Sequence, residues 1–415
     1  MAQDFFRLTH GERFGDVTPL APAAFSPVSE LDSFRLRSFC FPMNGSALLD
    51  CLDVLRCPVS GEPLTFLAEG KLRDLNTQLQ AETWLHRDGS SARTPVTAAL
   101  GAANGQYAYR VEDDIAWLLP SLALVPQAGV NRAPFEAEKK VVQSFYDDFG
   151  WTKSESGLFK DTEAFTDARR VAQDYRQYCN QRIARLLPGG RLLLDVASGA
   201  IPHAEYLDFS RDYAVRICVD FSLRALREAR LKLGGRGLYL LGDITQLPLA
   251  SDSIDAVISL HTIYHVPQGQ QTSAVDEIAR VTKPGGRAVI VYTWSSSAAM
   301  AAVFRLRGIL GWIRRRLGLS RAPAPESGTP APGAPPSLYF QPQDYGWFTR
   351  DIAPRYRARL RVWSALNTSF QTRFLSEDIF GRWLLAAVKC GENCFPWLAG
   401  RLGQYPMFVI DKPPR

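Results

Sequence analysis

From Arg191 to Trp294 the chain alternates short aliphatic runs with longer amphipathic stretches. The runs RLLLDVA, AVRICVD, GLYLLGD, IDAVISL and RAVIVYTW are of strand length and rich in β-branched residues. Between them, FSLRALREARLKLG and QQTSAVDEIARVTKPGG carry apolar residues at helical spacing. Repetition of strand, helix, strand predicts an α/β domain with a parallel sheet covered by helices on both faces.

The flanks read differently. Residues 1–46 are rich in Pro, Ser, Phe and Arg without periodicity, which predicts an irregular arm. Residues 47–127 predict a small α+β domain. It opens with an apolar-periodic stretch and a turn at Cys57-Pro58-Val59-Ser60-Gly61, and closes with a hairpin about Glu112-Asp113-Asp114. The 136–190 segment predicts helices that end at Pro188-Gly189-Gly190. Beyond Trp294 come an amphipathic basic helix over 295–319 and a Pro/Ala/Gly linker over 321–337. Two further strands, RARLRVWSAL and QYPMFVIDK, flank an insertion over 367–403 that carries Phe370, Phe374, Phe380, Trp383, Phe395 and Trp397. An apolar lid over the site, ordinary packing of a helical subdomain and a dimer interface remain alternatives for that insertion.

Composition and charge change the picture in four ways. The chain of 415 residues is 46% hydrophobic and has no run of about 18 apolar residues, so no spanning helix is expected. Its first residues are polar, without a leader's apolar core, which points to a cytoplasmic protein. Seven scattered cysteines argue against a disulfide framework, and Cys390 and Cys394 fall on one helix face. The net charge of +6 is concentrated in the C-terminal part, with 17 Lys and Arg against 7 Asp and Glu from Trp294 onward. Such a segment suits an anionic partner or membrane surface, and equally a solvated basic face.

The chemistry lies at strand ends. The first strand closes on Asp195-Val196-Ala197-Ser198-Gly199-Ala200, a small-residue loop that lets backbone approach a ligand. The second closes on Asp220-Phe221, where a carboxylate can accept from ribose hydroxyls, and the third on Gly242-Asp243-Ile244. Ser259-Leu260-His261-Thr262-Ile263-Tyr264-His265-Val266-Pro267 and Lys283-Pro284-Gly285-Gly286 follow in order. Asp195 and Asp220 each have a structural alternative as a helix cap, and Asp243 has a structural alternative too.

This series resembles the class I S-adenosylmethionine-dependent methyltransferases of the small-molecule type. The resemblance implies a seven-stranded Rossmann-like sheet with an antiparallel last strand over 136–415, with S-adenosylmethionine as cofactor. It places Asp195, Ala197, Ser198, Gly199, Asp220, Phe221, Asp243, Ile244, Leu260 and His261 around that cofactor. Asp220 would hold the ribose, Asp243 and Ile244 the adenine, and Leu260 and His261 the methionine side. The family's DxGxGxG pattern is kept only at Gly199; Ala197 and Ile201 stand at the other glycine positions.

His261 and His265 are candidate general bases, with His203 as a third, because imidazole titrates near neutrality. Tyr264 and Trp294 are candidates for contact with the sulfonium or the acceptor, and core packing is their alternative. The 47–127 segment resembles the zinc-ribbon-like activator subunits of methyltransferases. Their CPxC has become Cys57-Pro58-Val59-Ser60, so no zinc or other metal is expected.

The resulting expectation is methyl transfer to an oxygen or nitrogen of a small or medium-sized metabolite, with no DNA partner. Methylation of RNA or a translation protein, and a non-catalytic cofactor-binding scaffold, stay as alternatives. The basic 295–319 helix leaves peripheral membrane contact open, and the oligomeric state is not fixed by the sequence.

Overall fold

The computed structural model describes residues 47–131, 137–316, 336 and 338–414. The arm predicted over 1–46 and nearly all of the 321–337 linker lie outside the described residues. Among the described residues thirteen strands share one sheet. Six come early: β1 Leu64–Phe66, β2 Trp84–His86, β3 Ala98–Ala102, β4 Ala108–Glu112, β5 Ile115–Trp117 and β6 Leu124–Pro126. Seven follow: β7 Gly190–Val196, β8 Tyr213–Asp220, β9 Gly237–Leu241, β10 Ile254–Leu260, β11 Thr282–Val291, β12 Arg359–Ser364 and β13 Tyr405–Asp411.

The later seven run in the order β9-β8-β7-β10-β11-β13-β12. β7 through β11 pair in parallel, while β13 is antiparallel to both β11 and β12. Buried parallel strands need apolar side chains on both faces. In β7, Leu192, Leu194 and Val196 enter one core layer and Leu193 the other, as the two-residue period requires.

Helices cover each layer. Arg170–Ala184 buries Val171, Tyr175, Cys179 and Ile183, one residue every four, against the Leu193 face. Gln271–Val281 buries Ala274, Val275, Ile278 and Val281 on the opposite side. Where the order reverses, between β7 and β10, the connections leave to opposite faces and open a crevice at the strands' carboxyl ends.

The predicted seven strands are thus part of a larger sheet. The expected small domain over 47–127 does not carry a sheet of its own: β5 pairs in parallel with β9, setting Ile115, Ala116 and Trp117 beside Tyr239, Leu240 and Leu241. The β4–β5 hairpin turns through Asp113 and Asp114, both left-handed at φ 52° and 59°, a conformation that Asp tolerates better than most residues. Those two carboxylates then reach Arg227 at 3.5 Å and Arg230 at 2.6 Å on the helix after β8. Cys57, the residue left from the zinc-type turn, sits 3.1 Å from the Tyr109 hydroxyl and accepts from the Ser60 amide at 3.3 Å.

An uncovered β9 would present unpaired backbone and the apolar side chains of Tyr239, Leu240 and Leu241. A fragment starting at residue 137 is therefore expected to self-associate or precipitate where the full chain stays dispersed. Sedimentation velocity on both, at matched concentration, checks this.

Candidate active site

The crevice holds a cavity of about 620 Å³. All ten residues expected around the cofactor line it, and so do Tyr264, His265 and His203. Trp294 does not. Its indole donates to the Gly400 carbonyl at 2.8 Å and packs among Tyr292, Tyr345, Phe348 and Phe408, so core packing explains it. None of the six insertion aromatics lines the cavity either. Phe370 and Phe374 pack on each other at 4.5 Å, and the other four face solvent.

The loop after β7 forms the cavity floor. Ala197, Gly199 and Ile201 all have positive φ, at 54°, 56° and 50°. These are the three positions where the family pattern has glycine. The left-handed backbone path persists although two of the glycines are gone, at a cost of roughly 1–2 kcal/mol per non-glycine residue. Gly199 alone has no room for a side chain, since a Cβ would lie 2.5 Å from the Trp151 ring. Its amide donates to Asp220 Oδ2 at 2.9 Å, and Ser198 N donates to the Val219 carbonyl at 3.2 Å, so the floor is tied to the end of β8.

The aspartates differ in their engagement. Asp195 is buried and accepts from Arg216 at 2.5 and 3.2 Å; that guanidinium also donates to the Tyr206 carbonyl at 2.6 Å. Arg216 lies on β8 and is itself buried. Asp243 accepts from the Thr245 amide and hydroxyl, both at 2.8 Å, and from Lys139 Nζ at 2.7 Å. Among the described residues Asp220 has no cationic partner: its oxygens accept the amides of Gly199 and Ser222, at 2.9 and 2.8 Å. Burial pushes its pKa up to about 6, against the pull of those two amides.

A fourth carboxylate, Asp161, also lines the cavity, on the Lys160–Phe165 helix. No hydrogen bond or ion pair of its side chain occurs among the described residues, and burial alone pushes it up to about 6. Tyr146 and Tyr264 are held above the ordinary phenol range mainly by burial and, further, by the Asp161 charge.

The three histidines are neutral at pH 7. Burial brings His261 down to about 3, with His203 and His265 adding repulsion. Burial likewise brings His265 and His203 down to about 4. His265 Nδ1 lies 2.7 Å from the Tyr339 carbonyl. A carbonyl only accepts, so Nδ1 carries the proton and Nε2 is left as an acceptor. His261 adopts φ 60° and meets Trp363 and Tyr405 edge to face, at 4.4 and 5.3 Å. The cavity is thus aromatic in its walls and rich in groups that can only accept hydrogen bonds.

Sequence reasoning missed Lys139, Asp161 and Arg216, while the segment Phe145-Tyr146-Asp147-Asp148-Phe149-Gly150-Trp151 resembles the helical lead-in that covers the cofactor in such enzymes, and Tyr146 and Trp151 line the cavity. Lys139, Val142 and Tyr146 lie at helical spacing, and all three line the cavity. The same spacing in the sequence would have found them. Tyr146 stacks on Trp151 at 5.3 Å, and together they roof the Gly199 loop.

The methyltransferase domain family matches residues 194–290, from the end of β7 into β11. A demethylmenaquinone methyltransferase of Mycolicibacterium paratuberculosis is 32% identical over 177 residues, which are 42% of this chain and 70% of that protein. An uncharacterized methyltransferase of Mycobacterium sp. (strain JLS) is 34% identical over 113 residues, 27% of this chain and 43% of the relative. The first curated relatives are therefore spanned over less than half of their length. Among solved structures, the complex between the Haloferax volcanii Trm112 methyltransferase activator and a putative methyltransferase aligns with a TM-score of 0.36 and 15% identity, covering 58% of this chain and 92% of that one. The chain belongs to the S-adenosylmethionine-dependent methyltransferases.

Two outcomes follow from the buried charges. Arg216→Leu leaves Asp195 buried and unpaired, and is expected to destabilise the fold by about 3–5 kcal/mol in urea unfolding. Asp161 holds a proton more tightly folded than unfolded, because its pKa rises from 3.8 to about 6. Its charged form therefore costs stability in full above pH 6, and that cost fades as pH falls from 6 towards 3.8. Asp161→Asn should gain about 3 kcal/mol at pH 8 and little at pH 4, read from paired urea titrations.

Proposed function

We propose that this chain transfers the methyl group of S-adenosylmethionine to an oxygen or nitrogen of a small or medium-sized metabolite. The observation that carries the reading is the cavity itself. Its volume of about 620 Å³ is of ligand size, and it gathers the carboxyl ends of β7, β8, β9 and β10 in one crevice.

The residues present fit the cofactor. Asp220 is a buried carboxylate open to the cavity and lacking a cation, and the ribose hydroxyls supply the donors that it needs. The left-handed 197–201 loop brings backbone close to the methionine part, and Ile244 with Asp243 forms the wall for adenine. Asp195 would act through Arg216, as a buried anchor of the floor, rather than as a direct ligand. Leu260 and His261 close the methionine side, and Phe221 packs beside Asp220.

Bound S-adenosylmethionine supplies an electrophilic methyl group. The protein's part in such a displacement is mostly alignment and exclusion of water. Tyr146 and Trp151 cover the floor, and Tyr264, Trp363 and Tyr405 line the side where an acceptor would lie. That His261 and His265 line the cavity and that Nδ1 of His265 meets a carbonyl supports them as acceptors of a hydrogen bond or proton from the methyl acceptor. One relative's name specifies demethylmenaquinone, and an aromatic wall is compatible with a flat acceptor of that kind.

We read the strands over 64–117 as a built-in counterpart of the separate activator subunits that the 47–127 segment resembles. Their cover over β9 supports that reading.

Labelled-methyl transfer into cell extract, fractionated into small molecules, RNA and protein, tests the acceptor class; label in the small-molecule fraction is expected. By calorimetry, Asp220→Ala should weaken S-adenosylmethionine binding about tenfold or more, through loss of charge-assisted hydrogen bonds. Unchanged affinity would remove Asp220 from the ribose.

A further inference from the structure

The helix Ile379–Cys394 is amphipathic in the inverse sense for a soluble surface. Its buried side carries Gly381, Leu385 and Glu392, and Glu392 is engaged by Arg182 at 2.8 Å. Its exposed residues include Ile379, Phe380, Trp383, Ala387, Cys390 and Cys394, with Arg382 as the one charged residue among them. Ile379 is 75% exposed, and Phe380 and Trp383 are each 71% exposed. Phe395, 64% exposed, leads into the next helix, Pro396–Leu402, where Trp397 and Leu398 are also exposed. Monomeric proteins seldom leave so continuous an apolar strip in water.

The border of the strip indicates what covers it. Arg373, Arg382 and Arg401 are exposed around it. The Arg401 guanidinium lies 5.7 Å from the Trp397 ring centre and 5.0 Å from that of Tyr345. Of the carboxylates nearby, Asp378 is occupied in capping the helix, accepting from Gly381 N at 2.8 Å and from the Ser376 hydroxyl at 2.5 Å. Glu377 accepts from the Arg170 amide at 3.1 Å. Tryptophan and phenylalanine flanked by arginine are what the boundary of an anionic bilayer selects: rings enter the headgroup layer and guanidinium groups meet lipid phosphates.

The Ala298–Arg316 helix repeats the pattern. Ile309, Trp312 and Ile313 are exposed, and the Arg316 guanidinium lies 4.7 Å over the Trp312 ring. No helix among the described residues is long and apolar enough to cross a membrane, so contact would be with the surface.

We propose that the helices spanning 379–402 form a docking face for an anionic lipid bilayer. The face is independent of the cofactor site, so it stands or falls without the methyl-transfer reading. The test is cosedimentation of the full chain with sucrose-loaded vesicles of equal parts phosphatidylcholine and phosphatidylglycerol. Binding is expected, with release at high salt. The double variant Phe380→Ser/Trp383→Ser should bind about tenfold more weakly or worse, while keeping its circular dichroism and its S-adenosylmethionine affinity. Both side chains are largely exposed, so their loss removes little packing; Trp397→Ser serves as a second variant. Failure of the wild type to sediment, or sedimentation of the variants equal to wild type, overturns the proposal. So does a vesicle-free dimer in ultracentrifugation that the double variant dissolves, which would assign the face to a second copy of the chain.

Discussion

The reversal of strand order between β7 and β10 is the constraint on which the site depends. Parallel neighbours whose connections leave on opposite faces cannot close the sheet's carboxyl edge, and the gap is where a ligand fits. The residues expected around the cofactor arrive there because four strands end at that edge, and helices before β7 supply Lys139, Tyr146 and Asp161 over them. The price is that polar ends of strands become buried, and the structure meets it in different ways. Asp195 receives a guanidinium and Asp243 an ammonium, whereas Asp220 and Asp161 receive neither. Burial raises Asp195 as well, in spite of Arg216, but Asp220 and Asp161 are raised to about 6 and line the cavity without a cation beside them among the described residues.

The strand ends were legible because each is a local event. An aspartate closing an apolar run of strand length needs only a few residues of sequence to be noticed, and Asp195, Asp220 and Asp243 all met that condition. The helical spacing of Val171, Tyr175, Cys179 and Ile183 was equally local. Lys139 and Arg216 were not legible in this way. Lys139 meets Asp243 across 104 residues of chain, and Arg216 meets Asp195 through the pairing of adjacent strands. In the sequence, Arg216 is a charge interrupting an apolar run, which gives no hint of a partner. For Trp294 the sequence left cavity contact and core packing open, and its side chain lies in the aromatic cluster with Tyr292 and Phe408.

The loop after β7 separates two things that a glycine motif usually joins. The residues depart from the pattern at Ala197 and Ile201, yet the backbone keeps positive φ at both. Packing of the buried Ile201 and the hydrogen bonds from Ser198 and Gly199 to β8 over-determine the path, so the chain tolerates the local strain. Only Gly199 is irreplaceable on steric grounds, because Trp151 occupies the space of its side chain.

The pairing of β5 with β9 has a consequence for how the protein behaves at low abundance. A sheet edge masked by a separate subunit is bare whenever that subunit is scarce, and the masked fraction follows the concentrations of both. Here the masking strands are on the same polypeptide, at an effective concentration set by the intervening chain rather than by the cell. Dilution cannot strip them, and no stoichiometry has to be matched during synthesis.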